Sequence, residues 1–208
     1  MLIQNDKGTD KIMEIEIKKL TPELADEYVH FFDVTQHDDK IDDHKCYCIC
    51  WVSDDYEGKD FSTREKRRTY AKKYVQEKHL QGYLAYFQNE IVGWCNANTK
   101  TDCLQCACWR MMMNHVPLDD VKEQVKVKAI FCFMIAPHIQ RKGVASKLLE
   151  RVIEDAKADG FDYIEAYPFI DNGTFSSDFG GYGEMYERFG FEKSIDAKQG
   201  KVLRRSLK

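Results

Sequence analysis

The sequence predicts a mixed α/β protein, a central sheet with helices packed against it. Three observations carry this. The stretch 131–160, FCFMIAPHIQRKGVASKLLERVIEDAKADG, joins a continuously apolar run to a long amphipathic pattern through a tight basic turn. Helix-start signals at Thr21-Pro22-Glu23 and Ser62-Thr63-Arg64-Glu65 each precede an aromatic and apolar stripe. Alternating or apolar runs bounded by Gly, Pro and Asn recur through the rest of the chain. The resulting order is β-α-loop-α-β-β-β-α-β-α-β-β, without internal repeats.

Residues 1–11 read as a leader to one domain over 12–208. Met13, Ile15 and Ile17 alternate with glutamates as a half-exposed first strand. Thr21 is the expected N-cap and Pro22 the first position of a helix that turns Leu24, Tyr28, Phe31 and Phe32 to one side. Asp33 to Asp60 is acidic, rich in His and Cys and without period, so a long functional loop is expected. The capping-box spacing at 62–65 opens a helix with Tyr70, Tyr74 and Val75 inward. Gly82–Phe87 and Ile91–Ala97 form a hairpin around Gln88-Asn89-Glu90, with Asn89 suited to positive φ.

Cys-rich elaborations are expected near 36–60 and 99–118, the second an irregular insertion. Val125, Val127 and Ala129 alternate with lysines before the run turns apolar at Phe131, as in a long strand entering the core from an exposed end. Pro137 stops its ladder. Val144, Leu148, Val152 and Ala156 recur at helical spacing, and Gly160 ends the helix. Phe161–Tyr167 is a strand closed by Pro168, followed by a Gly/Ser/Asp loop over 170–179. Glu184–Arg188 is a short helix stopped by Gly190, and Phe191–Leu207 is a hairpin around Lys198-Gln199-Gly200.

With 208 residues the chain can bury a sizeable core, and 43% hydrophobic with 32% charged residues exclude disorder as its main description. A net charge of −4 supplies no general attraction for nucleic acid or an anionic membrane. The first residues lack the basic start and apolar core of a secretory signal, and no apolar run approaches the roughly 20 residues that span a bilayer. A cytoplasmic protein is expected. Its eight cysteines are then expected as thiols or metal ligands rather than a disulfide framework.

Between the apolar strand and its helix lies Gln140-Arg141-Lys142-Gly143-Val144-Ala145. A helix N-terminus presents unpaired N–H groups and partial positive charge, here beside two cations and a glycine that permits close approach. That combination suits a phosphate or pyrophosphate.

These residues resemble the GNAT superfamily of acyl-CoA-dependent N-acyltransferases, whose Q/R-x-x-G-x-G/A turn is matched by Gln140, Gly143 and Ala145. The strand-proline lead-in Ile135-Ala136-Pro137, the hairpin ending Val92-Gly93-Trp94, and Met185-Tyr186-Glu187-Arg188-Phe189-Gly190-Phe191 strengthen the likeness. A bacterial branch of that superfamily is resembled more narrowly. Cys46-Tyr47-Cys48, Cys132-Phe133-Met134-Ile135, Glu165-Ala166-Tyr167-Pro168, and Phe179 with Gly181 carry that match, together with the V-G-W hairpin.

The resemblance implies a mostly antiparallel sheet flanked by helices and splayed between the fourth and fifth strands. It implies acetyl-CoA as donor, its pantetheine arm on Phe133, Met134 and Ile135, its pyrophosphate on Gln140, Arg141, Lys142, Gly143, Val144, Ala145 and Ser146. Tyr186 matches the superfamily tyrosine that protonates the leaving thiolate, with a packing aromatic as the alternative. The glutamate that some members carry early in the central strand is replaced by Ala129. Glu165 shares strand parity with Tyr163 and Tyr167 and is the candidate base, or else a surface carboxylate. The acceptor implied is a primary amine of a small molecule or peptide, without nucleic acid or membrane, and a homodimer is left open.

Cys46, Cys48 and Trp51 are candidate substrate-binding residues in the loop covering the acceptor site. In extended chain Cys46, Cys48 and Cys50 would project along about 13 Å of one face. Cys103-x-x-Cys106-x-Cys108 contains one zinc-like spacing, but no second such pair exists, so no metal site is assigned. Redox, substrate-lining and plain core roles all remain for the cysteines. The acidic loop suits a cationic amine or is simply solvated. Two other functions stay open: a non-catalytic acyl-CoA sensor, and a zinc- or thiol-regulated binding protein.

Overall fold

The elements follow one another in the expected order. The structure, a computed structural model, describes residues 14–36, 40–168, 178–197 and 200–208. The leader at 1–11, Asp38 and Asp39, most of the loop at 170–179, and Lys198 and Gln199 lie outside the described residues.

Among the described residues seven strands make one sheet: β1 (Glu16–Lys19), β2 (Gly82–Phe87), β3 (Glu90–Thr99), β4 (Val127–Ile135), β5 (Tyr163–Ala166), β6 (Glu192–Ala197) and β7 (Gly200–Ser206). Their spatial order is β1-β2-β3-β4-β5-β7-β6. Every neighbouring pair is antiparallel except β4 and β5, whose crossover is the helix α5 (Val144–Ala158). The remaining helices are α1 (Ala25–Val34), α2 (Arg64–Gln76), α3 (Ala107–Met112), α4 (Asp119–Lys122) and α6 (Gly183–Arg188). The short α3 and α4, with a 3₁₀ turn at Lys100–Cys103, occupy the insertion where no period is visible.

Local chemistry explains most boundaries. Gln88 and Asn89 both have positive φ, 52° and 67°, the requirement of a two-residue hairpin loop between twisted strands. Thr21 makes no capping bond, and Pro22 instead opens a 3₁₀ turn that leads into α1. Thr63, one residue later than the capping-box reading, caps α2 by accepting from the Lys66 N–H at 3.3 Å. α5 buries Val144, Leu148, Leu149, Val152, Ile153 and Ala156, the stripe its spacing predicts. At about 1.5–3 kcal/mol per large aliphatic side chain, this face is a major part of the core.

Two features of β4 position the site. Its ladder to β3 shifts between Asn96 and Ala97, which pair with Cys132 and Ile130, so Phe131 is the extra residue of a bulge. On its other side β4 pairs with β5 only from Val127 to Ile130, against Tyr163 to Ala166. Beyond that point the two strands part, and among the described residues the second half of β4 has β3 alone as a strand partner. This is the expected splay between the fourth and fifth strands. Among the described residues no helix is long and apolar enough to cross a membrane.

Candidate active site

The opening below the splay leads to the turn after β4. Ala136 N–H still reaches the Val92 carbonyl at 2.9 Å, then Pro137 starts a 3₁₀ turn and the ladder ends. The Gln140 amide donates to the Ile135 carbonyl at 3.2 Å, tying the turn to the strand it follows. Arg141 and Gly143 take positive φ, 60° and 84°, and swing the chain into α5. Gly143 is the N-cap and has no side chain with which to cap, so the first N–H groups of a fifteen-residue helix remain available to a ligand.

A cavity of about 580 Å³ lies against this turn. One wall is Phe133, Met134 and Ile135; another is Gln140, Arg141, Gly143, Val144, Ala145 and Ser146. Every residue expected at the donor therefore meets there except Lys142, which is exposed and does not line the cavity. The third wall was missed in the sequence: Tyr182, Glu184, Met185 and Arg188 of α6 and its approach. Phe179 and Gly181 accompany them, the two residues already marked by the branch pattern. α6 is too short for a periodic signal, and nothing in it announced which face would meet the turn.

Tyr186 is fully buried and does not line this cavity. Its hydroxyl donates to the Gly180 carbonyl at 2.7 Å, and its ring packs against Phe133 and Phe191, at 6.4 and 5.2 Å between centroids. Burial holds its phenol well above the usual value. The geometry makes it the brace behind Gly181. Tyr186→Phe should leave the Gly180 carbonyl unpaired and lower stability by about 1 kcal/mol. Turnover should fall less than about tenfold, against the hundredfold or more of a lost general acid; a stopped assay alongside thermal melts separates the two.

Glu165, expected to face the cleft, is instead enclosed. It is 1% exposed; Arg204 takes one oxygen, and Tyr167 and Lys100 take the other at 2.8 and 2.9 Å. Lys100, also 1% exposed, bridges to Asp120 at 3.0 Å, and Arg204 joins the same carboxylate. Both oxygens being held by cations, Glu165 is poorly placed to accept an ammonium proton. The cause is the insertion, which delivers Lys100 and Asp120 to the end of β5.

Trp51 stacks on Phe131 at 4.6 Å and 8°, Phe131 stacks on Tyr167 at 5.5 Å, and Trp109 stands edge-on to both. This aromatic wall covers β4 at its bulge, beside the splay. Cys46 and Cys48 lie next to it without lining the donor cavity. They are not in extended chain: Tyr47 and Cys48 both have positive φ, 49° and 54°, and residues 47–50 form a turn. The three thiols therefore do not line one face of a strand. Cys48 accepts from Asn96 at 3.3 Å and is hydrogen-bonded to Cys132 of β4, while Cys50 pairs with Cys108 of α3. Burial alone would raise the Cys48 thiol, but the donors aimed at its sulfur bring it below the ordinary value. Cys106 caps α3 by accepting from the Trp109 N–H. Among the described residues no group of three or more His, Cys, Asp or Glu is arranged to hold a metal.

The acidic loop is largely neutralised from within. Asp33 is bound by Arg68 at 2.9 and 3.0 Å and by the Tyr47 hydroxyl at 2.7 Å. Asp42 pairs with Arg64 and Lys45, Asp54 with Lys59, Asp60 with Lys66, and Glu57 with Arg110. Its carboxylates strap the loop to α2 and α3, leaving less negative charge for an acceptor than the composition suggests.

The model of the acetyltransferase (GNAT) family matches residues 17–191. No curated protein matches the chain. Among solved structures, a mosquito arylalkylamine N-acetyltransferase like 5b superposes with a TM-score of 0.54 at 12% identity, over 93% of this chain and 100% of that one. The Drosophila melanogaster polyamine N-acetyltransferase gives 0.54 at 9%, over 92% and 97%. An N-acetyltransferase from Staphylococcus aureus Mu50 gives 0.51 at 14%, over 94% and 99%. At these identities the superpositions establish the fold. With the family match across most of its length, on a splayed sheet of the same architecture, the chain belongs to the acetyltransferase (GNAT) family and is an acyltransferase.

Proposed function

We propose that the protein transfers the acetyl group of acetyl-CoA directly to a primary amine of a small molecule or peptide, in a ternary complex. One observation carries this reading: the free half of β4, the Gly143 turn and the uncapped start of α5 all open on one cavity beside the splay. The pyrophosphate is held by N–H groups of Gly143 to Ser146 with Arg141, and Gln140 keeps the turn against the strand. The pantetheine arm lies along Phe133 to Ile135, where β4 lacks a partner on the β5 side and can hydrogen-bond an amide as a further strand would.

The neutral amine attacks the thioester carbonyl, the C–N bond forms, and the developing oxyanion is met by a main-chain N–H near Met134 or Ile135. The C–S bond then breaks, the nitrogen gives up one proton, and the thiolate takes one to leave as the CoA thiol. Trp51 and Phe131 supply a flat apolar surface on the acceptor side, with the Cys46–Cys48 turn behind it. The test is release of CoA thiol across a panel of polyamines, arylalkylamines, amino acids and peptides. Turnover with at least one class is expected. Tight acetyl-CoA binding with no turnover on any of them would leave a sensor in place of an enzyme.

A further inference from the structure

A second cavity, of about 500 Å³, lies at the opposite end of β4. It is bounded by the turn between β1 and α1, the turn between α2 and β2, and the first residues of β4. Five residues of strand, roughly 16 Å, separate Lys128 on its wall from Phe133 in the donor cavity. The sequence pattern placed Lys128 on the exposed end of a strand, but it is 5% exposed.

Lys128 is the anomaly. Its ammonium lies over the Phe161 ring, 5.1 Å from the centroid, and among the described residues it has no hydrogen-bond or ion-pair partner. The nearby carboxylate of Asp159 is taken by Lys19, at 3.4 Å. Burial, then the neighbouring Lys19 charge, push the Lys128 amine down to about 8, while Asp159, Cys103 and Cys95 oppose this. A buried cation without a partner is costly, and a methionine would pack in the same space more favourably. An anion in the cavity would complete it.

The surroundings select the kind of anion. The wall includes Pro22, Val75, Leu80 and Tyr83, which suit a short carbon chain. Lys19 and Lys78 also line the cavity and outweigh Glu23, so the wall favours an anion, and its apolar side distinguishes one that carries a carbon chain from bare inorganic phosphate. We propose that this cavity is a binding site separate from the acetyl-transfer site, taking a small aliphatic carboxylate with its carboxylate on Lys128 Nζ and its chain along Pro22, Val75 and Leu80.

Hexanoate and inorganic phosphate are the probes, titrated into the full chain by calorimetry. Lys128→Met removes the charge and keeps the volume, so it should fold, and it touches no part of the donor cavity. Hexanoate should bind the parent and bind Lys128→Met about tenfold or more weakly. It should bind Gly143→Glu as it binds the parent, which separates this cavity from the donor site. By NMR, the Lys128 side chain should titrate at least about one unit higher with hexanoate bound. No hexanoate binding at millimolar concentration, equal binding to Lys128→Met, or an unmoved titration would overturn the site. Binding of phosphate in preference to hexanoate would overturn the ligand class.

Discussion

Gly143→Glu should abolish productive acetyl-CoA binding, weakening it at least about 100-fold. A carboxylate near 4 Å from the pyrophosphate costs on the order of 4 kcal/mol at an effective dielectric of 20, and it would also occupy the available N–H groups of α5. The added Cβ meets nothing within 4 Å, so the substitution makes no clash inside the protein itself. What the fold loses is the glycine's tolerance of φ +84°, about 1–2 kcal/mol for a residue with a side chain. Gly143→Ala carries that strain without the charge. It should therefore lower stability by a similar amount while keeping donor affinity within roughly tenfold. Calorimetric titration with acetyl-CoA checks both variants, and an unchanged affinity in Gly143→Glu would remove the pyrophosphate from this turn.

Lys100→Met should be the most destabilising of the substitutions considered. Lys100 and Arg204 balance Glu165 and Asp120 in a cluster whose Lys100 and Glu165 side chains are 1% and 2% exposed. Removing one cation leaves a net buried negative charge and an unpaired Pro117 carbonyl, which Lys100 now satisfies at 3.0 Å. A loss of about 3–5 kcal/mol is expected, or roughly 6–20 °C in melting temperature for a chain of this size. Asp120 gives the pH dependence its sign. Burial alone would raise its carboxyl, but Arg204 and Lys100 hold it below the ordinary value. Its contribution is thus complete above the unfolded carboxylate pKa, near 3.9, and is lost as pH falls through the lower folded value. The gap between parent and variant should narrow in acid. A difference below about 1 kcal/mol at neutral pH would mean the cluster is not the staple of β5.

What the sequence made legible was governed by locality. The apolar run of β4, the turn with Gly143 and the stripe of α5 are contiguous, and each obeys a backbone rule that neighbours in the chain determine. The donor-cavity residues from Phe133 to Ser146 fall within that contiguous stretch, so their meeting was readable, whereas the wall supplied by α6 lies outside it and was not. Glu165 and Lys128 show the opposite case. Strand parity assigns a face, but whether that face meets solvent, a cleft or two cations depends on segments distant in the chain, such as the insertion carrying Lys100. The acidic loop likewise looked like open charge because its partners, Arg64, Arg67 and Arg68, sit on a helix whose placement against it no local pattern encodes. Tyr186 was found by motif, yet its hydroxyl's direction rests on Gly180, a backbone atom no motif names.

The place of β7 bears on how the chain is made. It lies between β5 and β6, so two strands synthesised earlier both wait for residues 200–206 before either has a ladder on that side. Until then a nascent chain carries an open β5 edge beside the splay, able to pair with any extended segment that reaches it. Chaperone demand and misassembly during translation should therefore concentrate in the interval between emergence of β5 and emergence of β7.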